Sequence, residues 1–296
     1  MNIAVLAGGT SGEREISLRS GAAVAKALQT KGHVVTLVDP LDGLDLIDTG
    51  TDVVFPALHG AGGEDGTIQM ELEKRGIAYV GSDSVASALC FDKWAYRDRL
   101  RETGLPIAEG EMVNAQSFWR SPLSKKPYVL KPVDGGSTID TFIVRDPTNA
   151  DQQKIKEALA RYDEMLLEEL VEGIEITVGV LGDQALPPVE IIPPEGGEFD
   201  YENKYNGKTR ELCPAENIGD AAQKKAKSLA LRAHAVAGCK DLSRTDIIVR
   251  KDGSQVILET NTLPGMTGQS LYPKAAAAAG IGFADLVDRL VAMATV

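Results

Sequence analysis

The stretch Arg244-Thr245-Asp246-Ile247-Ile248-Val249-Arg250-Lys251-Asp252-Gly253-Ser254-Gln255-Val256-Ile257-Leu258-Glu259-Thr260-Asn261 decides how the rest of the chain is read. It has two short runs rich in β-branched residues, joined at Asp252-Gly253, a pair that marks a hairpin. A two-residue turn at 252–253 sets Asp246 opposite Glu259 and Arg244 opposite Asn261. Side chains alternate faces along a strand, so all four project from one side of the ribbon. Carboxylates facing each other across a ladder repel. A hard cation would offset that repulsion, because carboxylate and amide oxygens are the ligands magnesium prefers, and magnesium usually arrives with phosphates. The plain alternative is a solvated hairpin whose acids happen to face. Four polar groups on one face, with Pro264-Gly265 following, favour a metal–phosphate site.

Composition narrows the classes. A chain of 296 residues has length for two or three domains and a substantial core. Its net charge of −12 argues against a protein devoted to holding nucleic acid, which needs a basic footprint. An anionic nucleotide stays open as a substrate, since a few Lys and Arg make a positive pocket. Cys90, Cys213 and Cys239 are widely spaced and show neither zinc spacing nor a disulfide framework, so a reducing cytoplasm is expected. His33, His59 and His234 are too scattered for a His-based metal site. Residues 1–9 read as a buried strand ending in glycines rather than as a signal peptide. No run approaches a membrane span, and no membrane partner is expected.

The first third alternates strand and helix: strands at 3–7, 33–38, 53–57 and 77–80, a helix from about Ser11 and another at 67–74. That is the βαβ pattern of a parallel sheet. Helical character runs from Val85 to Leu100. Strands at 127–132, 141–144 and 165–171 with a helix near 150–162 suggest a small α+β unit. Strands at 176–181 and 189–192, a helix at 221–237, the hairpin and a helix at 283–293 complete the chain. The alanine run 275–279 reads as plain helix.

Several loops carry chemistry. Lys131 precedes Gly135-Gly136-Ser137-Thr138, raw material for an anion nest or for an ordinary hairpin turn. Lys93 lies on a helix, where most lysines only face solvent. Glu168, Glu169, Leu170 and Val171 lead into a turn before Glu175, an arrangement suited to an adenine edge and a ribose at a domain interface. Glu13, in Gly8-Gly9-Thr10-Ser11-Gly12-Glu13, serves a helix dipole with Ser11 as N-cap, or grips a substrate ammonium at a strand's carboxyl end. His59 sits on the same rim.

Together these segments resemble the D-alanine–D-alanine ligase family of the ATP-grasp fold. The resemblance runs through Gly8–Ser17, Leu58-His59-Gly60 to Thr67, Tyr79–Ser82, Asp92-Lys93, Lys131-Pro132, Asn203-Lys204-Tyr205, Cys213-Pro214-Ala215, Arg244-Thr245-Asp246, Glu259–Thr267 and Ser270-Leu271. It implies an α/β fold, α+β in the ATP-binding part, with an N-terminal substrate-binding domain at 1–86. A central ATP-grasp subdomain would follow at 87–173 and a C-terminal metal-binding domain at 174–296. The implied reaction joins two D-alanines through an acyl phosphate, for peptidoglycan precursors, cell wall and cell shape. The implied small molecules are ATP, D-alanine and two Mg²⁺, with Mn²⁺ a substitute. A homodimer is implied as well.

By the same resemblance Lys93 and Lys131 contact ATP phosphates, Lys204 binds the nucleotide as well, Glu168, Glu169 and Val171 line the adenine site, and Glu175 binds the ribose. Asp246, Glu259 and Asn261 hold the metal. Glu13 binds the first D-alanine and forms a cluster with Ser137 and Tyr205. Arg244 and the Gly265 N–H steady the oxyanion. His59 borders the substrates, and Ser270 and Leu271 receive the second carboxylate. Two departures stand out: the lid reads Gly135-Gly136-Ser137-Thr138-Ile139-Asp140 where the family has an acidic-Gly-Ser-Ser-x-Gly pattern, and Ala61 replaces a frequent basic residue. Asp140 near phosphates would be unfavourable unless it points away or meets Mg²⁺ or Lys208. A different second substrate, such as a D-hydroxy acid, and a nucleotide-binding protein without turnover are the alternatives.

Overall fold

A computed structural model describes residues 1–47, 50–135, 140–194 and 209–295. Expectations for Ser137, Lys204 and Tyr205 fall outside these residues. Within them, Asn2–Leu6 carries four buried apolar residues in a row and forms β1, the middle of a parallel sheet ordered β2 (Val34–Val38), β1, β3 (Val53–Pro56). A strand covered on both faces reads as this kind of continuous apolar run. Helices α1 (Arg14–Thr30) and α2 (Thr67–Arg75) belong to this unit. The strand expected at 77–80 is a single bridge between Val54 and Tyr79, because Gly81 at φ 105° turns the chain away.

Ser11 does not cap α1. Its hydroxyl donates to the His59 carbonyl at 2.6 Å and accepts the Glu13 N–H at 3.2 Å, which holds residues 11–13 as a turn and delays the helix to Arg14. The helical stretch 85–100 is two helices, α3 (Ser84–Phe91) and α4 (Lys93–Glu102). Asp83 and Asp92 cap them by accepting the Ala86 and Ala95 N–H groups at 2.8 and 2.9 Å, the usual role of Asp at an N-cap. Extended backbone at Asp92 places Lys93 first in α4.

The central sheet runs β4 (Gly110–Val113), β7 (Met165–Glu169), β5 (Tyr128–Pro132), β6 (Phe142–Val144), antiparallel throughout, with α5 (Gln152–Arg161) supplying Ile155, Ala158 and Leu159 to its core. The third sheet is built on β8 (Ile174–Leu181), flanked by β10 (Val189–Ile192) and β12 (Leu242–Val249), with β9 (Gln184–Ala185), β11 (Arg210–Leu212) and β13 (Gln255–Asn261) completing it. Helix α6 (Asp220–Ala237) buries its small-residue face, Ala226, Ala230 and Ala233, with Ile176, Val178 and Ile247 of this sheet. Helices α7 (Leu271–Ala278) and α8 (Phe283–Ala294) then return to the first sheet. One core cluster combines Ile3, Val5, Val24 and Phe55 with Leu242, Tyr272, Leu286 and Leu290.

The hairpin turn differs from expectation. Arg250 N–H donates to the Ser254 carbonyl at 2.8 Å and Gly253 N–H to the Arg250 carbonyl at 2.9 Å, so the loop is Lys251-Asp252-Gly253 with Gly253 at φ 79°. This is a three-residue loop ending in a left-handed glycine. The ladder starts one residue off, pairing Val249 with Gln255 and Ile247 with Ile257. A bulge at Leu258 then adds a residue, so that Asp246 does face Glu259 and Arg244 does face Asn261.

Candidate active site

The three sheets enclose a cavity of about 1390 Å³, larger than the roughly 300–1,000 Å³ typical of a single small-ligand pocket. From the first sheet come Glu13 and His59, and from the central sheet and α4 Lys93, Lys131, Glu168 and Glu169. Val171 and Glu175 stand at the junction to β8. The hairpin contributes Arg244, Asp246, Glu259 and Asn261, and the segment after it Gly265, Ser270 and Leu271. Every expected site residue within the described part therefore borders one space.

On the hairpin face, the Arg244 guanidinium donates to both oxygens of Asp246, Nε to Oδ1 at 3.0 Å and Nη2 to Oδ2 at 2.9 Å. Burial works against that charge, but Asp246, then Glu259 and Glu64, outweigh it and raise the Arg244 pKa. Thr177, on the neighbouring strand, donates to Asp246 Oδ1 at 2.5 Å. A buried hydroxyl chain lies between the strands: Tyr96 Oη to Thr260 Oγ1 at 2.5 Å, and Thr260 Oγ1 to Thr245 Oγ1 at 2.8 Å. Asn261 Oδ1 accepts the Leu263 N–H at 2.9 Å, and a carbonyl oxygen keeps a second lone pair.

The lysines have distinct neighbours. Lys93 Nζ donates to the Gly135 carbonyl at 2.6 Å, and its own N–H donates to the Val133 carbonyl at 2.9 Å. Burial, and then Lys131, lowers the Lys93 pKa against the pull of Glu259. Lys131 Nζ pairs with Glu168 Oε2 at 2.6 Å, while Glu168 Oε1 pairs with Arg97. Arg97, almost fully buried on α4, also donates to the Ala108 carbonyl at 2.7 Å. Glu169 pairs with Arg250 at 2.8 Å. Asp140 turns away from the cavity, bonded to Arg161 at 2.9 Å and to the Tyr162 hydroxyl at 2.7 Å. The concern that it would oppose phosphates does not arise in this geometry.

At the other end His59 is buried, with Nε2 at 3.1 Å from Ser20 Oγ. Burial holds its pKa down at about 4, and Arg244 adds to that. Glu64 lines the same wall and accepts the Gly60 N–H at 2.7 Å. Burial, then repulsion from Glu13, pushes its pKa up to about 8. Gly60 has φ 70°, and a Cβ there would lie 3.1 Å from Glu13 Oε2, so the turn brings backbone against carboxylate where a side chain would crowd it. Glu64 and Arg97 are the residues that sequence reading missed. Glu64 stands in Glu64-Asp65-Gly66, which reads as turn chemistry, and Arg97 looks like any surface arginine on a helix. Ser270 Oγ accepts the Thr267 N–H at 3.1 Å. Leu271 is buried, opens α7 and lines the cavity.

Among the described residues no cluster of three or more His, Cys, Asp or Glu side chains could hold a metal ion unaided. Two carboxylates and one amide oxygen on a single face are hard donors. They fit a Mg²⁺ whose remaining ligands are phosphate oxygens and water.

Comparison with known proteins gives a consistent picture. Residues 100–292 match the family model described as D-ala D-ala ligase C-terminus, and residues 44–82 match the D-ala D-ala ligase N-terminus. The chain is 43% identical to a D-alanine–D-alanine ligase of Sphingopyxis alaskensis over 98% of this chain and 96% of the relative. It is also 43% identical to that of Gluconobacter oxydans, over 98% of each. Among solved structures, the ligase of Bacillus anthracis complexed with ATP superposes with a TM-score of 0.83 at 28% identity, covering 99% of this chain and 97% of that one.

Proposed function

The chain belongs to the D-alanine–D-alanine ligase family, and on that premise we propose that it joins two D-alanines with ATP, supplying peptidoglycan precursors. The observation that carries the residue-level reading is the single cavity bordered by every expected site residue in the described part.

In this reading the carboxylate of the first D-alanine attacks the γ-phosphorus of ATP, the bond to the bridging oxygen breaks, and ADP leaves an acyl phosphate behind. The free amine of the second D-alanine attacks the acyl carbon, phosphate departs, and the amide forms. Catalysis of this kind is mainly positioning and charge neutralisation. Lys93 and Lys131 meet the phosphates, Glu168 to Val171 border the adenine, and Glu175 holds the ribose. Glu13 takes the first ammonium, and Arg244 with the Gly265 N–H faces the oxyanion. Ser270 and the Leu271 N–H receive the second carboxylate, and His59, neutral at physiological pH, borders the substrates. Ser137, Lys204 and Tyr205 complete the set.

Asp246, Glu259 and Asn261 would hold Mg²⁺, two ions with Mn²⁺ as a substitute, supplying charge neutralisation for the transferred phosphoryl group. The same proposal includes three units at 1–86, 87–173 and 174–296, a homodimer, and no nucleic-acid or membrane partner. It also includes a cytoplasmic location, which suits three free thiols. No helix among the described residues is long and apolar enough to cross a membrane.

Phosphate release from ATP tests the reading. D-alanine alone should support rapid release and accumulation of the dipeptide. A requirement for D-lactate or another acceptor would replace the substrate assignment, and nucleotide binding with no turnover on any pair would end it.

A further inference from the structure

Cys90 and Cys239 take no part in the chemistry above, yet they meet. Cys90 lies in the last turn of α3, and Cys239 follows Gly238, the left-handed residue that ends α6. Their sulfurs are 3.8 Å apart, both side chains are buried, and 149 positions separate them in sequence. Cys213 provides a built-in contrast: its sulfur is 3.8 Å from the Pro187 carbonyl and is half-buried.

The pair also has a way in. Cys90 and Phe91 line the cavity beside Lys93. Either sulfur can donate in the contact between them. A cavity-lining cysteine with a second thiol at this distance is the arrangement in which a resolving thiol sits next to an oxidisable one.

We infer that Cys90 and Cys239 form a dithiol oxidation site, reached by peroxides through the nucleotide end of the cavity and shielded when nucleotide fills it. The shielding rests on the proposed nucleotide site, while the dithiol itself does not. Cys90 sulfur attacks a peroxide oxygen, the O–O bond breaks, and a sulfenic acid and an alcohol (water, from hydrogen peroxide) result. Cys239 thiolate then attacks that sulfur and expels hydroxide, which takes the remaining thiol proton as water. Two thiols and one hydroperoxide give one disulfide, one alcohol and one water. Closing to a bond of about 2.05 Å needs a movement of roughly 2 Å shared between two side chains. The bridge ties the end of α3, two residues before the Asp92 cap and three before Lys93, to the chain just ahead of β12. Closure therefore constrains the lysine and the hairpin relative to each other and slows ligation reversibly.

The test exposes the full-length protein to hydrogen peroxide, digests it without reduction and sequences the peptides by mass spectrometry. A linked Cys90–Cys239 peptide is expected, with Cys213 outside it. Dithiothreitol should restore the ligation rate. Cys239→Ser should keep the unoxidised rate and lose the sensitivity. MgATP at ten times its dissociation constant should slow linking about ten-fold, since only the free form reacts. Oxidation of Cys213 without any linked peptide, or linked protein that turns over at the reduced rate, overturns the proposal. If calorimetry shows MgATP bound and linking is not slowed, the entry route is wrong and the proposal falls with it. Absence of MgATP binding would instead count against the nucleotide site, with the linked peptide still judging the dithiol.

Discussion

The two ends of the cavity are built on opposite electrostatic plans. At the proposed nucleotide end two carboxylates have fixed cations: Glu168 lies between Arg97 and Lys131, and Glu169 faces Arg250. With Arg97 already balancing Glu168, the ammonium of Lys131 keeps positive charge for an anion. At the amino-acid end Glu13 and Glu64 share a wall with a neutral His59, while Arg244 is engaged by Asp246. There burial, then repulsion from Glu13, raises the Glu64 pKa, and burial lowers that of His59. At one end ion pairs are in place, while at the other two carboxylates lie close enough to repel.

The comparison breaks most visibly at the hairpin. Glu259→Gln should reduce turnover at least about a thousand-fold, the scale of losing a key transition-state contact. Its melting temperature should stay near that of the parent protein. Near-normal turnover at equal Mg²⁺ would remove Glu259 from the metal set. Next, Arg97→Met leaves Glu168 with Lys131 as its ion-pair partner. The KM for ATP should rise about ten- to a hundred-fold, or about 1.4–2.8 kcal/mol, with the KM for D-alanine little changed and Arg97→Lys restoring part of the loss. Equal effects on both substrates would show that Arg97 acts through the fold alone.

The third prediction is a stability profile against pH. His59 is depressed in the folded state, so its contribution is whole above about 6.5 and falls as pH drops toward about 4, by on the order of 3 kcal/mol. Glu64 is raised, so its contribution is whole below about 4.5 and is lost as pH rises through about 8. Denaturant unfolding should therefore show an acid limb flattened by His59→Gln and an alkaline limb flattened by Glu64→Gln. Limbs unchanged by either variant would put the titration elsewhere. The smallest effect concerns the loop: Gly253→Ala, at φ 79°, should cost about 1 kcal/mol in thermal unfolding and leave both KM values alone.

Much of the nucleotide end was legible, because strand alternation and the Asp-Gly signal constrain which groups share a face. The Asp246–Glu259 pairing emerged for a reason that counting could not supply. A three-residue loop shifts the register by one, and the Leu258 bulge shifts it back. Bulges follow from local packing rather than from an alternation pattern. The amino-acid end was less legible. Glu64 becomes a site residue only because its loop folds back onto the Gly60 N–H, and Arg97 only because its guanidinium meets Glu168 on β7. Ser11 misled because a hydroxyl placed to cap a helix found the His59 carbonyl instead. For Ser11 and Arg97 the miss is a tertiary partner displacing a local role.

The core that joins β1, α1 and β3 to α7 and α8 has a consequence for biosynthesis. Helix α8 lies on α1, with Lys31 paired to Asp285 and His33 Nε2 at 2.8 Å from Asp288. Chains generally fold domain by domain as they leave the ribosome. Here β1, α1 and β3 emerge long before α7 and α8, which complete their shared core. Loss of α8 would therefore be a defect felt first at the opposite end of the sequence, where Ile3, Val5 and Phe55 share its core.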